Sequence, residues 1–279
     1  METLKTDIAS DRFFMFFKAN YPWDWGSYEK FVWKHQNDPF SGSNDFYVLE
    51  EDKEIVSICV ARKYIFKYGG STYNILSMMD FVTASQYRQK GRISTILQYI
   101  YKNVDFDYSI GFSSRQLRET VHKKTNCVQT YYTYVFNPTV SPLSSMPCSD
   151  ADAITALNLN ERSFQIPRNQ TYLNYIKNNP SYKNVVFLKR DDFVIGVAFE
   201  RNEENSVRIV EMSDYSLSFC MTAYQMASVF GKPVKIDLPQ VVDNGRFLKE
   251  TCFDVFNPSS NYSIFHEGEL IWVPHCDRK

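Results

Sequence analysis

The chain has 279 residues, of which 44% are hydrophobic and 16% aromatic, so it can bury the core of one large domain or of two average ones. Its 31 basic residues nearly balance its 32 acidic residues, which excludes a global field that would recruit nucleic acid or an anionic membrane. The six cysteines form no Cys-x-x-Cys pair and no His/Cys cluster at metal spacing, so free thiols and no metal site are predicted.

The N-terminal segment, residues 1–12, carries acids and lacks the apolar core of a signal peptide. No run of about 18 apolar residues occurs in the sequence. A cytoplasmic protein without a membrane segment is therefore expected. Neither the composition nor the motifs indicate an oligomeric state.

A charged turn between two apolar strands occurs in residues 47–57 and again in residues 186–196, at a constant offset of 139. Each copy predicts a β-hairpin. A segment rich in Pro and Ser, residues 139–149, separates the copies and is the best candidate linker. The chain is therefore predicted to have two domains of similar construction, 1–140 and 150–279.

Residues 87–97 are the most informative stretch, because they place a basic turn with a glycine between a predicted strand, 76–83, and an amphipathic helix. The first N–H groups of a helix have no intrahelical partners, and the helix dipole adds about half a positive charge there, so a phosphate fits. Gly91 lets the backbone approach such a ligand closely. The alternative is a basic strand-to-helix connection that binds nothing.

The remaining periodic segments alternate between strands and helices. They are a strand at 107–113 and a helix at 115–124 in the first half, then a helix at 215–230, a strand at 234–238 and a short helix at 244–252 in the second. The second half has neither glycine nor a basic residue at 213–218, the position that corresponds to the basic turn. No cofactor is therefore assigned to the second half.

The segment 81–93 resembles the acyl-CoA loop of the GNAT acetyltransferase superfamily, whose core is Arg/Gln-x-x-Gly-x-Gly/Ala. Arg88 and Gly91 match this core, and Ile93 stands where a second small residue is usual. The first half is similar to a complete GNAT domain and the second half to a degenerate copy. The resemblance implies an α/β fold with mixed sheets in two GNAT-like lobes, the second contributing to the acceptor site.

The resemblance also implies that an acyl group passes directly from acyl-CoA to an amine in a ternary complex. The strand backbone at Phe81, Val82 and Thr83 would pair with the pantetheine arm and offer an N–H to the thioester oxygen. Backbone amides of the loop would hold the pyrophosphate, and basic side chains would add charge. The loop residues implied are Arg88, Gln89, Lys90, Gly91, Arg92, Ile93 and Ser94.

The attacking amine must be neutral, so a base or a water path to one is expected. Asp80 is one candidate, because its apolar sequence neighbours would make a carboxylate a better base near neutral pH. The alternative for Asp80 is a strand carboxylate bonded to backbone or to a basic residue. The resemblance implies a second candidate, His122, at the position of a tyrosine that protonates the leaving thiolate. The alternative for His122 is an exposed histidine at a helix end.

Four residues are expected near the acceptor. Ser113 and Ser114 are expected to line the cleft, and Arg168 and Tyr172 to pair with a sugar diphosphate or stack on a base. The alternative for Tyr172 is a helix face buried in the core of its own lobe.

Segments 31–40 and 166–180 are similar to segments of two-lobed acyltransferases that modify amino sugars for surface polysaccharides. They imply a nucleotide-linked amino sugar as the acceptor. Two other functions remain open. The near-neutral charge counts against an aminoacyl-tRNA-dependent peptidyl acyltransferase, and the presence of Arg88 and Gly91 counts against a non-catalytic GNAT-like binding module.

Overall fold

A computed structural model of the chain describes residues 2–6, 10–21, 26–37, 39, 44–68, 70–113, 126–159, 167–201 and 205–256. The described residues form two compact units. The first unit takes in residues up to 65, 73–111 and 255–256, and the second takes in 66–72 and 112–254. The predicted domain bounds, 1–140 and 150–279, stay a prediction.

The elements that lie mainly in the first unit are three helices, five strands and a 3-10 turn. In chain order they are β1 (Glu2–Thr6), α1 (Asp11–Asn20), α2 (Tyr28–Gln36), β2 (Asp45–Glu51), β3 (Glu54–Tyr68), β4 (Ser71–Thr83), the turn Ser85–Tyr87, α3 (Arg92–Asn103) and β5 (Tyr108–Ser113). The strand order is β1-β2-β3-β4-β5. β2 and β3 are antiparallel, and β4 and β5 are parallel.

Each face of this sheet packs on helices. Ser10 and Ser27 cap α1 and α2 by accepting hydrogen bonds from the first-turn N–H groups. Aromatic residues of these two helices pack on one face of the sheet, around Phe17 and Phe31, both with no exposed surface. Ile96 of α3 packs in a second cluster, which includes alternate residues of β2 and β3. The sheet is therefore buried between α1–α2 and α3.

The elements of the second unit repeat this sequence of helix pair, hairpin, strand, helix and parallel strand. In chain order they are β6 (Asn126–Phe136), β7 (Met146–Pro147), α4 (Asp150–Asn158), α5 (Gln170–Lys177), β8 (Tyr182–Arg190), β9 (Phe193–Glu200), β10 (Val207–Met212), α6 (Leu217–Ala227), the 3-10 turn Ser228–Phe230, β11 (Val234–Leu238) and β12 (Arg246–Phe256). The strand order is β12-β6-β11-β10-β9-β8-β7, with β10 and β11 parallel.

Both predicted hairpins are present. In the first, Glu51 pairs with Glu54 across a two-residue turn, and in the second Arg190 pairs with Phe193. The turns use the left-handed region: φ is +52° at Asp52 and +53° at the corresponding residue of the second hairpin. The α/β fold with mixed sheets and two similar units agrees with the sequence prediction.

One predicted element is wrong. The sequence predicts a short helix at 244–252, but residues 246–252 form the start of β12 and residues 244–245 lie in the bend before it. The ring of Phe247 packs edge-on against Tyr134 of β6, with centroids 5.8 Å apart. A Cβ on Gly245 would lie 2.7 Å from the ring of Phe136. Packing against β6, which local sequence does not reveal, therefore determines the strand.

The predicted helix at 115–124 lies outside the described residues. No helix in the described part of the chain is long and apolar enough to cross a membrane.

Candidate functional site

β4 bends at Asp80. Met79 packs in the cluster under α1 and α2, and the next residue, Asp80, pairs with Lys34 of α2 on the same side of the sheet. Two successive side chains on one face break the alternation of a strand. The break is possible because Asp80 has a φ of +49°, in the left-handed region that few residues other than glycine adopt.

The described parallel pairing of β4 with β5 extends to two residues before this bend. The register runs as far as Met78 and Gly111, whereas β4 continues to Thr83. On its other edge β4 stays attached to β3, because Ser57 Oγ donates to the carbonyl of Val82 at 3.0 Å. The last residues of β4, which were predicted to pair with pantetheine, therefore lie beyond the described β4–β5 ladder.

The loop after β4 presents the start of α3. Gln89 and Gly91 both have positive φ, +64° and +71°, and Gly91 is the N-cap residue of α3. No side chain caps this helix among the described residues, and its first turn contains no acid. The carbonyl of Gly91 accepts the N–H of Thr95 at 3.1 Å, which begins the helical ladder. No acid of the first turn of α3 therefore neutralises the positive end of this helix.

Two of the basic side chains stabilise the loop. Arg88 donates to the carbonyl of Thr83 at 3.2 Å and to the carbonyl of Asn20 at 2.7 Å, which ties the loop to β4 and to α1. Arg92 forms an ion pair with Glu51 at 2.7 Å. Arg88 is exposed, and its contribution to phosphate binding stays a prediction.

The other residues predicted to bind the cofactor surround the same turn. Lys90 and Ser94 are exposed, and Ile93 is half-buried. Phe81 is half-buried and packs towards α3, whereas Val82 is buried under α1 and α2.

The carboxylate of Asp80 is buried in an ion pair. Its Oδ2 lies 2.7 Å from Nζ of Lys34 and 3.4 Å from Nε2 of His35. Burial lowers the pKa of Lys34, against the opposing effect of Asp80. Burial, together with the charges of Lys34 and Arg62, lowers the pKa of His35 well below its ordinary value, so His35 is neutral at neutral pH. The role of Asp80 as a base stays a prediction, and this pair corresponds to the alternative given for it.

A second layer of hydrogen bonds fixes this pair. Nδ2 of Asn44 donates to the carbonyl of Lys34 at 3.1 Å and lies 3.0 Å from Nδ1 of His35. Because Nδ1 accepts, the ring proton is assigned to Nε2, on the side of Asp80. Nη2 of Arg62 donates to the same carbonyl of Lys34 at 2.9 Å. Sequence reasoning missed this network. The signal that could have revealed it is the position of Lys34 between Trp33 and His35, both of which are buried.

The corresponding turn of the second unit differs in length and charge. β10 and α6 are joined by four residues, 213–216, against eight in the first unit. Asp214 Oδ1 accepts the N–H of Ser216 at 2.8 Å. The hydroxyl of Tyr215 accepts the N–H of Met212 at 2.7 Å. Asp214 therefore closes a turn in the connection before α6, and the first turn of α6, like that of α3, has neither an acid nor a side-chain cap among the described residues.

Of the residues predicted near the acceptor, two lie in the core of the second unit. Tyr172 has no exposed surface and donates its hydroxyl to Oε1 of Glu211, which is also fully buried. Nη2 of Arg168 lies 3.4 Å from Oε2 of Glu211, and Arg168 is 4% exposed. The buried-face alternative describes Tyr172, and neither position supports acceptor binding. Ser113 ends β5.

Two predicted residues, Ser114 and His122, lie outside the described residues. Within the described ranges, no group of three or more His, Cys, Asp or Glu residues is arranged to hold a metal ion.

No family model matches the sequence, and no curated protein matches it. Solved structures do match the fold. A GCN5-related N-acetyltransferase from Kribbella flavida superposes with a TM-score of 0.64 at 12% identity, over 92% of this chain and 72% of that chain. A GCN5-related N-acetyltransferase from Anabaena variabilis gives 0.62 at 12% identity, over 91% and 72%.

A third structure is a conserved protein of unknown function from Enterococcus faecalis, described as a probable N-acyltransferase. It gives a TM-score of 0.62 at 12% identity, over 92% of this chain and 73% of that chain. At these identities the likeness is one of fold. Over most of its length, the chain has the fold of the GCN5-related N-acetyltransferases.

Proposed function

We propose that the protein is an acyl-CoA-dependent N-acyltransferase with a small amine as its acceptor. The observation that carries the proposal is the start of α3. A left-handed Gly91, at the end of the eight-residue connection that follows β4, opens a helix whose first turn has neither an acid nor a side-chain cap among the described residues. A helix start of this kind binds phosphate groups, and the fold is one found in N-acetyltransferases.

In this proposal the amides of residues 89–94 hold the pyrophosphate of CoA, and Arg88, Lys90 and Arg92 add positive charge around it. The backbone of residues 81–83 pairs with the pantetheine arm and supplies an N–H to the thioester oxygen. This geometry contributes placement and stabilisation of developing negative charge, which together account for much of the rate in acyl transfer.

The reaction forms a C–N bond between the amine and the acyl carbon and breaks the C–S bond of the thioester. The amine loses a proton, and the CoA thiolate gains one. We assign these proton transfers to Asp80 or His122, or to water beside them. No metal is needed for this chemistry.

For the acceptor we propose a nucleotide-linked amino sugar. The support is the sequence resemblance of segments 31–40 and 166–180, together with a net charge of −1, which does not favour a polyanionic RNA donor. We place the reaction in the cytoplasm, the location that the sequence predicts. The connection before α6 supports a single CoA site per chain, because it has four residues against eight before α3 and contains neither glycine nor a basic residue. It also carries Asp214, whose charge would oppose a phosphate.

The proposal is tested first by calorimetry with acetyl-CoA, and then by screening short and hydroxylated acyl-CoAs against nucleotide-linked amino sugars with mass measurement of the product. We expect acetyl-CoA binding and a product heavier by the acyl group. A protein that binds no acyl-CoA would contradict the proposal. Binding without turnover on any amine would favour the binding module, and turnover only with aminoacyl-tRNA would favour the peptidyl acyltransferase.

A further inference from the structure

Lys34 lies far from the phosphate loop in sequence, yet its ammonium reaches β4 at the bend. Its Nζ is 2.7 Å from Oδ2 of Asp80, and both side chains are 5% exposed. Lys34 is the one basic residue other than His35 that pairs with Asp80 in the described part of the chain. A buried carboxylate that loses such a cation is an uncompensated charge in a low-dielectric interior, which is strongly unfavourable. The conformation of Asp80 is therefore coupled to the presence of Lys34.

The position of Asp80 matters because its backbone is unusual. With φ at +49°, this residue directs its side chain to the same face as Met79 and redirects the backbone that follows. The described ladder to β5 extends as far as Met78, and residues 81–83 come directly after the bend. The ion pair thus holds the part of β4 that the proposed function assigns to the pantetheine arm.

The structure also fixes Lys34 itself. Its carbonyl accepts from Asn44 at 3.1 Å and from Arg62 at 2.9 Å, both buried. The adjacent His35 bonds the same Asn44. These contacts hold the C-terminal turn of α2 against the sheet, so the ammonium has little freedom to follow Asp80 elsewhere.

We propose that Lys34 is a positioning residue for acyl-CoA binding, which acts by holding Asp80 in its left-handed conformation and so keeps residues 81–83 of β4 directed at the pantetheine arm. The inference rests on the proposed function. In this inference Asp80 shapes the end of β4. Only binding of the pantetheine arm is affected, because the phosphate loop is held by other contacts, those of Arg88 and Arg92.

The test compares two ligands by calorimetry: acetyl-CoA, and 3′-phospho-ADP, which is the part of CoA without the pantetheine arm. In Lys34→Met we expect the affinity for acetyl-CoA to fall about tenfold, the scale of one or two lost backbone hydrogen bonds. The affinity for 3′-phospho-ADP should stay within about twofold, because the start of α3 is unchanged.

The double variant Lys34→Met/Asp80→Gly separates positioning from general damage. Glycine adopts a positive φ without a side-chain penalty, and the buried charge that needs Lys34 is gone. The affinity for acetyl-CoA should therefore recover to within about threefold of the parent protein. The matched control is Lys63→Met, which removes from the same sheet an ion pair between an exposed lysine and the half-buried Asp45 and should change neither affinity.

Unchanged acetyl-CoA affinity in folded Lys34→Met would overturn the inference, and so would an equal loss for both ligands or a double variant that fails to recover. If Lys34→Met does not fold, the double variant decides alone: a folded protein with near-parent affinity supports the inference, and a defective one overturns it. A parent protein that binds neither ligand would instead refute the proposed function.

Discussion

Replacing Gly91 by glutamate adds a negative charge at the start of α3 with little disturbance of packing. A Cβ on Gly91 would meet no atom within 4 Å. The cost to the fold comes from the backbone, because φ is +71° and a residue other than glycine loses about 1–2 kcal/mol in the left-handed region. Alanine at the same position has the same backbone cost without the charge, so Gly91→Ala is the matched control.

The effect on binding follows from Coulomb repulsion. A carboxylate about 5 Å from a phosphate charge opposes binding by about 0.8 kcal/mol in water, and two such charges give about 1.7 kcal/mol. That energy corresponds to a loss of affinity of roughly fifteenfold. The lower dielectric constant at a protein surface increases the repulsion, so fifteenfold is the smallest loss that we expect.

Calorimetry with CoA on the parent protein and on both variants measures this effect. Gly91→Glu and Gly91→Ala should unfold at similar temperatures, a few degrees below the parent, and only the glutamate variant should lose CoA binding by fifteenfold or more. Equal CoA affinity in the two folded variants would show that the start of α3 is not the phosphate site.

Four further outcomes are expected. His122→Asn should lower turnover about a hundredfold with acetyl-CoA affinity unchanged, and full turnover would assign the proton to another group or to water. Calorimetry should give one CoA per chain, and two sites would contradict the assignment of the second unit. Arg168→Ala should lower the free energy of unfolding, measured by urea titration, by about 3 kcal/mol, because Glu211 then stays buried without its cation. The double variant Arg168→Ala/Glu211→Gln should recover part of that loss. Lowering the pH from 7.5 to 5 should reduce the free energy of unfolding, by up to about 1.4 kcal/mol per pH unit below pH 6.5. The reason is that the fold lowers the pKa of His35 and keeps it neutral, so that only the unfolded chain gains the proton. His35→Gln should therefore make thermal unfolding less dependent on pH.

Features set by local sequence could be predicted. The two hairpins depend on alternating apolar residues around a two-residue charged turn, and the start of α3 depends on Gly91, so both are visible in a short window. Features set by distant packing could not. The strand at 246–256 is determined by the rings of β6, and the partner of Asp80 is Lys34, on a helix that precedes it by two strands. The burial of Tyr172 likewise depends on Glu211, which no local pattern connects to it.

β6 has a consequence for how the second unit is assembled. Its residues pair in antiparallel register with β11, from Val234 opposite Phe136 to Leu238 opposite Tyr132, so partners are separated by about a hundred residues of chain. During synthesis β6 is made long before β11 and β12, its two neighbours in the sheet, and until then neither of its edges has the strand that covers it. A fragment ending at residue 140 would lack both neighbouring strands permanently, and exposed strand edges promote aggregation. The second unit therefore folds as a late, non-local step, and a chain cut at the linker would not yield two independent proteins.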